Sequence, residues 1–151
     1  MAEGIKVFLT GATGFVGSAV ARRLATEGFE VRALTRPNSP RGHLDGIKVD
    51  FVEGDMRDAE SIRRGMAGVR YVFHVAADYR LWARDRSEIV INNVEGTRIV
   101  MQEAMRAGVD RVVYTSSVAT LGWPREGAPG TRSRGSSRTS TRAPTTRSAR
   151  T

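Results

Sequence analysis

Residues 5–17 constrain the fold more than any other part of this chain. The apolar-leaning run Ile5-Lys6-Val7-Phe8-Leu9 leads straight into Thr10-Gly11-Ala12-Thr13-Gly14-Phe15-Val16-Gly17, after which Val16, Ala19, Val20 and Leu24 recur at helical spacing. A strand, a tight glycine turn and a helix in that order leave backbone N–H groups at the positive end of a helix dipole, where a pyrophosphate can sit. The glycines have separate tasks: Gly11 permits the turn, Gly14 brings the backbone close to the phosphates, and Gly17 lets the helix pack on the strand. They fall at i, i+3 and i+6, which differs from the G-x-G-x-x-G spacing. Thr10, Gly11, Thr13, Gly14, Phe15, Val16 and Gly17 are therefore candidate dinucleotide contacts, with a ligand-free glycine turn as the alternative.

The same alternation continues downstream. Strands are expected at Ile5–Leu9, Val31–Leu34, Val49–Val52, Val69–Val75 and Arg111–Thr115. Helices are expected at Phe15–Glu27, from an Asp58 cap to Met66, and at Ser87–Ala107, closed by Gly28, Gly68 and Gly108. On the last helix Ile89, Val90, Val94, Ile99, Val100 and Ala104 are expected to face inward. Strands alternating with helices at this spacing imply parallel pairing through right-handed crossovers. The expected architecture is an α/β, Rossmann-type doubly wound parallel sheet of five strands in the order 3-2-1-4-5, with its crevice between the first and fourth strands. No sixth strand follows, so the sheet is expected to be incomplete.

Composition separates a folding body from a tail. Residues 124–151 contain no Val, Ile, Leu, Met, Phe, Trp or Tyr, and such a segment cannot offset its ordering entropy by burial. Its seven Arg against one Glu supply +6 of the net charge of +8, leaving the body near +2. The expected division is a dinucleotide-binding domain over 1–122 and a disordered tail over 123–151. The high basicity belongs to the tail, so it is no argument that the body binds nucleic acid. A tail that did so would show strongly salt-dependent binding, and residues 124–151 have no aromatic residue to stack on bases. With no cysteine and only His43 and His74, neither a disulfide framework nor a zinc centre is expected. The absence of a signal-like N-terminus and of a long apolar run makes a cytoplasmic protein the expectation.

In order along the chain stand Thr10-Gly11-x-x-Gly14-x-x-Gly17, Gly54-Asp55-Met56, His74-Val75-Ala76-Ala77, Asn92-Asn93-Val94-Glu95-Gly96-Thr97 and Tyr114-Thr115-Ser116-Ser117. Together they resemble the extended short-chain dehydrogenase/reductases, the NAD-dependent epimerase/dehydratase family, from about Ile5 to Gly122. Within it the chain is most similar to hopanoid-associated sugar epimerases and dihydroflavonol-reductase-like proteins. The resemblance implies hydride transfer to or from a nicotinamide on a nucleotide sugar or ketone, and it allows a homodimer. It implies that Asp55 and Met56 meet the adenine, with a helix cap as the other reading of Asp55. Val75, Ala76 and Ala77 would lie against the cofactor. Asn93 would support the catalytic network and border the cofactor, and Ser117 would take the catalytic Ser/Thr position, with plain turn chemistry as its alternative. Tyr79, Arg80 and Trp82 read either as substrate-facing or as surface loop, and His74 as a strand-end packing residue.

Cofactor choice turns on the end of the second strand. An acidic residue there would bind the ribose 2′-OH of NAD, but the chain has Thr35-Arg36, with Arg41 nearby. A guanidinium suits a 2′-phosphate, so NADP is expected over NAD, with a solvated Arg36 as the alternative. The family's acid/base pair, Tyr-x-x-x-Lys, is missing: no tyrosine follows Tyr114 and no lysine follows Lys48. The expectation is thus a catalytically incomplete cofactor lobe, or alternatively a non-catalytic dinucleotide-binding module. The abrupt change in composition reads as a frameshifted or misassembled coding sequence beyond about Trp123, which resequencing the locus would test.

Overall fold

In the computed structural model, which describes residues 3–80 and 85–120, five strands form one parallel sheet ordered β3-β2-β1-β4-β5. The elements run β1 (Lys6–Thr10), α1 (Phe15–Thr26), β2 (Glu30–Thr35), β3 (Val49–Glu53), α2 (Ala59–Met66), β4 (Tyr71–His74), α3 (Arg86–Ala107) and β5 (Arg111–Tyr114). Every strand and helix expected from the sequence is present, with ends shifted by a residue or two. Between β2 and β3 stands a short 3-10 turn, Gly42–Leu44, where no element is expected from the sequence. It buries Leu44, and Arg22 of α1 holds it by donating to the carbonyls of His43 (2.8 Å) and Asp45 (3.2 Å).

The sheet is covered on both faces because successive side chains on a strand point to opposite sides. Val7 and Leu9 of β1, with Val31 and Ala33 of β2, pack beneath Ala21 and Leu24 of α1. Phe8, between them in sequence, points the other way and joins Leu34, Val72, Ile62 and Met66 of α2, and Val100 and Ala104 of α3. Burying a side chain like Phe8 stabilises by roughly 1.5–3 kcal/mol. Asp58 caps α2 by accepting from the N–H groups of Glu60 (3.0 Å) and Ser61 (3.3 Å), and Asp85 caps α3 by accepting from Ser87 (2.8 Å).

The inward face of α3 differs from the expected one. Val100 and Ala104 are buried and Ile89 and Ile99 half-buried, but Val90 and Val94 are 61% and 49% exposed. The stripe that continues Val100 and Ala104 towards the N-terminus is Asn93, Gly96 and Thr97, at helical spacing. These polar and small residues bond or pack inward, so the apolar valines turn out. Apolar periodicity alone misplaced the face here.

The unit containing the sheet ends at Thr115. From Ser116 a second unit begins, of which residues 116–120 are described. They form the 3-10 turn Val118–Thr120, in which the Thr120 N–H (3.1 Å) and hydroxyl (2.7 Å) both donate to the Ser117 carbonyl.

Candidate functional site

At the carboxyl ends of β1, β2 and β4 opens a cleft of about 870 Å³. Thr10, Gly11, Thr13, Gly14, Phe15, Val16, Gly17, Arg36, Asp55, Met56, Val75, Ala76 and Ala77 all border it. Motifs far apart in sequence meet there because the strand order reverses direction between β1 and β4.

The turn after β1 is built by close approach. Gly11 has φ +77°, and a Cβ on it would lie 2.6 Å from the Ala76 nitrogen. A Cβ on Gly17 would overlap the Gly11 carbonyl, so α1 sits directly on the turn. The Gly14 N–H closes the turn onto the Gly11 carbonyl (3.0 Å), and the first helical bond runs from Ser18 N–H to the Gly14 carbonyl (2.9 Å). Gly14 caps α1 without a side-chain acceptor, so the N–H groups of Phe15, Val16 and Gly17 have no partner among the described residues. Three free amides at a helix N-terminus fit a pyrophosphate's charge and its demand for donors. The Phe15 ring is 85% exposed beside them.

The wall after β4 is held by a knot of amide and carboxylate contacts. The Asn93 side chain accepts from the Asp78 N–H (2.7 Å) and donates to the Asp78 carbonyl (2.8 Å), pinning that residue's backbone at both ends. Asn92 donates to the Asp78 carboxylate (3.0 Å), and Arg80 grips it with two nitrogens at 2.9 and 2.7 Å. Hydrogen bonds from Arg80 and Asn92 hold the Asp78 carboxyl far below the usual carboxylate range. Asn93 is therefore spent on the loop, and it is Asn92 that borders the cleft, with Asp78, Tyr79 and Arg80. Trp82 lies outside the described residues, as does the Arg-rich tail.

Asp55 is no helix cap, since Asp58 fills that role. Its Oδ1 accepts from the Arg57 N–H (2.9 Å) and Nε (3.2 Å). Met56 packs on α3, its side chain 2.8 Å from where a Gly96 Cβ would stand. Arg36 is exposed at the end of β2 and makes no ion pair or side-chain hydrogen bond among the described residues. Arg41 lies over the Phe51 ring (4.5 Å to its centroid) and reaches the Thr35 hydroxyl at 3.5 Å. Ser117 belongs to the second unit, where it begins the 3-10 turn.

His74 does more than fill space. It is fully buried, with Nδ1 2.7 Å from Thr10 Oγ1 and Nε2 2.9 Å from Thr97 Oγ1, and the Tyr114 ring stacks on it at 5.2 Å. Burial pushes its imidazole down to about 4, so it is neutral at pH 7. Asp78, Asn92 and Thr97 were missed as site residues from the sequence. Thr97 stands four residues after Asn93, on the same helix face, and that spacing was the available signal.

Among the described residues no cluster of His, Cys, Asp and Glu could hold a metal ion, and no helix is long and apolar enough to cross a membrane. A glycine-turn cleft at the switch point of a 3-2-1-4-5 sheet defines a dinucleotide-binding class of fold. The model of the NAD dependent epimerase/dehydratase family matches residues 7–148, and the chain belongs to that family. It is 44% identical over 120 residues to a putative dihydroflavonol 4-reductase of Synechocystis sp., covering 80% of this chain and 35% of that one. Among solved structures it is similar to gox2253 (TM-score 0.75, 46% identity, 82% of this chain and 37% of that one). It is similar also to a short-chain dehydrogenase/reductase superfamily protein of Agrobacterium tumefaciens with bound NAD (TM-score 0.66, 33% identity, 76% and 33%). The chain spans about a third of the length of the curated relatives it matches.

Proposed function

We propose that these residues form the cofactor-binding part of an NAD(P)-dependent reductase or epimerase acting on a ketone or nucleotide sugar, with NADP preferred. The observation that carries this is the trio of unpartnered amides, Phe15 to Gly17, opening on the cleft beside the close-packed Gly11 turn. The cradle binds the pyrophosphate, while Asp55 and Met56 meet the adenine. Small Ala76 and Ala77 leave room for the cofactor along β4. Arg36 is the 2′-phosphate ligand: it is a free guanidinium at the edge of the cleft, where an NAD site would place a carboxylate.

The nicotinamide, when bound, supplies the hydride acceptor or donor. Asn93 keeps the loop after β4 in place by its two bonds to Asp78, and Ser117 stands at the family's catalytic Ser/Thr position in the sequence. No Tyr-x-x-x-Lys stands in the 151 residues, so they bind cofactor without turning over substrate.

Thermal unfolding in the presence of NADPH or NADH tests both parts. Ligand at a hundred times its Kd should stabilise the chain by about 2.7 kcal/mol. NADPH should act at lower concentration than NADH, and Arg36→Ser should remove that advantage while leaving the NADH shift. No shift with either nucleotide would reject the cradle. Equal potency in the native chain would reject the role of Arg36.

A further inference from the structure

We propose, resting on the dinucleotide reading above, that His74 is a positioning residue for the phosphate cradle, holding the Gly11 turn in register through Thr10. A residue needed only for packing at this point of β4 could be apolar, as Val72 is; a fully buried imidazole must instead have both nitrogens satisfied. Both are, and by hydroxyls of two different elements. Thr10 Oγ1 accepts from the Ala76 N–H at 3.2 Å, and among the described residues the acceptor within reach of its own proton is His74 Nδ1 at 2.7 Å, so the hydroxyl that would otherwise be buried without an acceptor donates there. That assigns the ring proton to Nε2, which donates to Thr97 Oγ1 of α3 at 2.9 Å.

The Thr10 leg matters for the cradle because the Ala76 peptide is the surface on which the Gly11 turn leans. A Cβ on Gly11 would lie 2.6 Å from the Ala76 nitrogen, and the Thr10 carbonyl takes the Val75 N–H at 3.3 Å. His74 selects the hydroxyl orientation that lets Thr10 receive the Ala76 amide. Without the ring nitrogen, the Thr10 proton is buried with no acceptor, and the side chain is released to turn away from Ala76. The strand end and the glycine turn would then no longer share a fixed separation. The Thr97 leg anchors the ring to α3, away from the phosphates.

The two legs can be separated chemically, since an Asn amide falls where Nδ1 stands and a Gln amide where Nε2 stands. Affinity for NADPH and NADH is read by nucleotide fluorescence on the full 151-residue chain, at a temperature where circular dichroism shows each variant folded. His74→Asn keeps the Thr10 leg and should bind within about threefold of the native chain, whereas His74→Gln should bind about tenfold more weakly. Both should melt at lower temperature, so a purely structural role would lower affinity in step with melting. Equal losses in the two variants, or no loss in either, would overturn the assignment. Should the histidine variants fail to fold, Thr10→Val, which removes the hydroxyl, should bind about tenfold more weakly than Thr10→Ser, which keeps it, and equal binding by the two would overturn the proposal. A native chain that binds neither nucleotide would instead defeat the dinucleotide reading itself, and this inference with it.

Discussion

A histidine with no solvent contact and two hydroxyl partners makes stability depend on pH in a calculable direction. In the folded chain His74 titrates at about 4, and in the unfolded chain near its ordinary 6.5. Between these values the unfolded state binds the proton and the folded state does not, so the contribution is complete above about pH 6.5 and is lost as pH falls towards 4. The difference amounts to roughly 3 kcal/mol. Urea unfolding of the native chain and of His74→Asn, compared from pH 7.5 to 4, should show this slope in the native chain only. Parallel slopes would mean that the carboxylates account for all of it. Thr10 was legible in the sequence as part of the glycine turn, but His74 read only as packing, because its partners lie 64 and 23 residues away.

Helix α3 shows how one element can carry two kinds of inward surface. Its C-terminal half packs by apolar burial through Val100 and Ala104, and its N-terminal half by the polar grip of Asn93 and Thr97. Val94→Lys should therefore change stability by less than about 0.5 kcal/mol, and Val100→Ala should cost about 2 kcal/mol. Chemical denaturation of both distinguishes this face from the one that apolar periodicity predicts, on which the lysine would be the costlier change. Asn93→Ala leaves the Asp78 N–H and carbonyl without their partners, a loss of about 1–3 kcal/mol, and should speed amide exchange at Asp78 more than in β1. Strands and helix ends were legible because glycine stops, Asp58 and the apolar runs act locally. The face of α3 was not, since it depends on which loop lies opposite.

At the scale of the molecule, a doubly wound sheet gathers the ends of β1, β2 and β4 into one cleft, where residues of four sequence motifs meet with Thr115 at the end of β5. Topology was readable from the alternation of strand and helix spacing, and the candidate site from the glycine turn that opens it. Arg36 and Asp55 border the same cleft from different strand ends. The sequence pattern alone did not reveal that the Asp78 loop is knotted to Asn92, Asn93 and Arg80, because those pairings need the chain to have folded first. The chain's strong positive charge resides mostly in residues 124–151 and would attract any polyanion, so weak binding of a phosphorylated nucleotide is not by itself evidence for the cleft. The direct measurement is an amide-resolved NMR titration of the 151-residue chain with NADPH in 0.15 M salt. The N–H resonances of Phe15, Val16 and Gly17 should move with saturable dependence on nucleotide, while those of Arg63 and Met66, at the far end of α2, stay in place. Shifts confined to the arginine-rich segment, with the three cradle amides unmoved, would contradict the account.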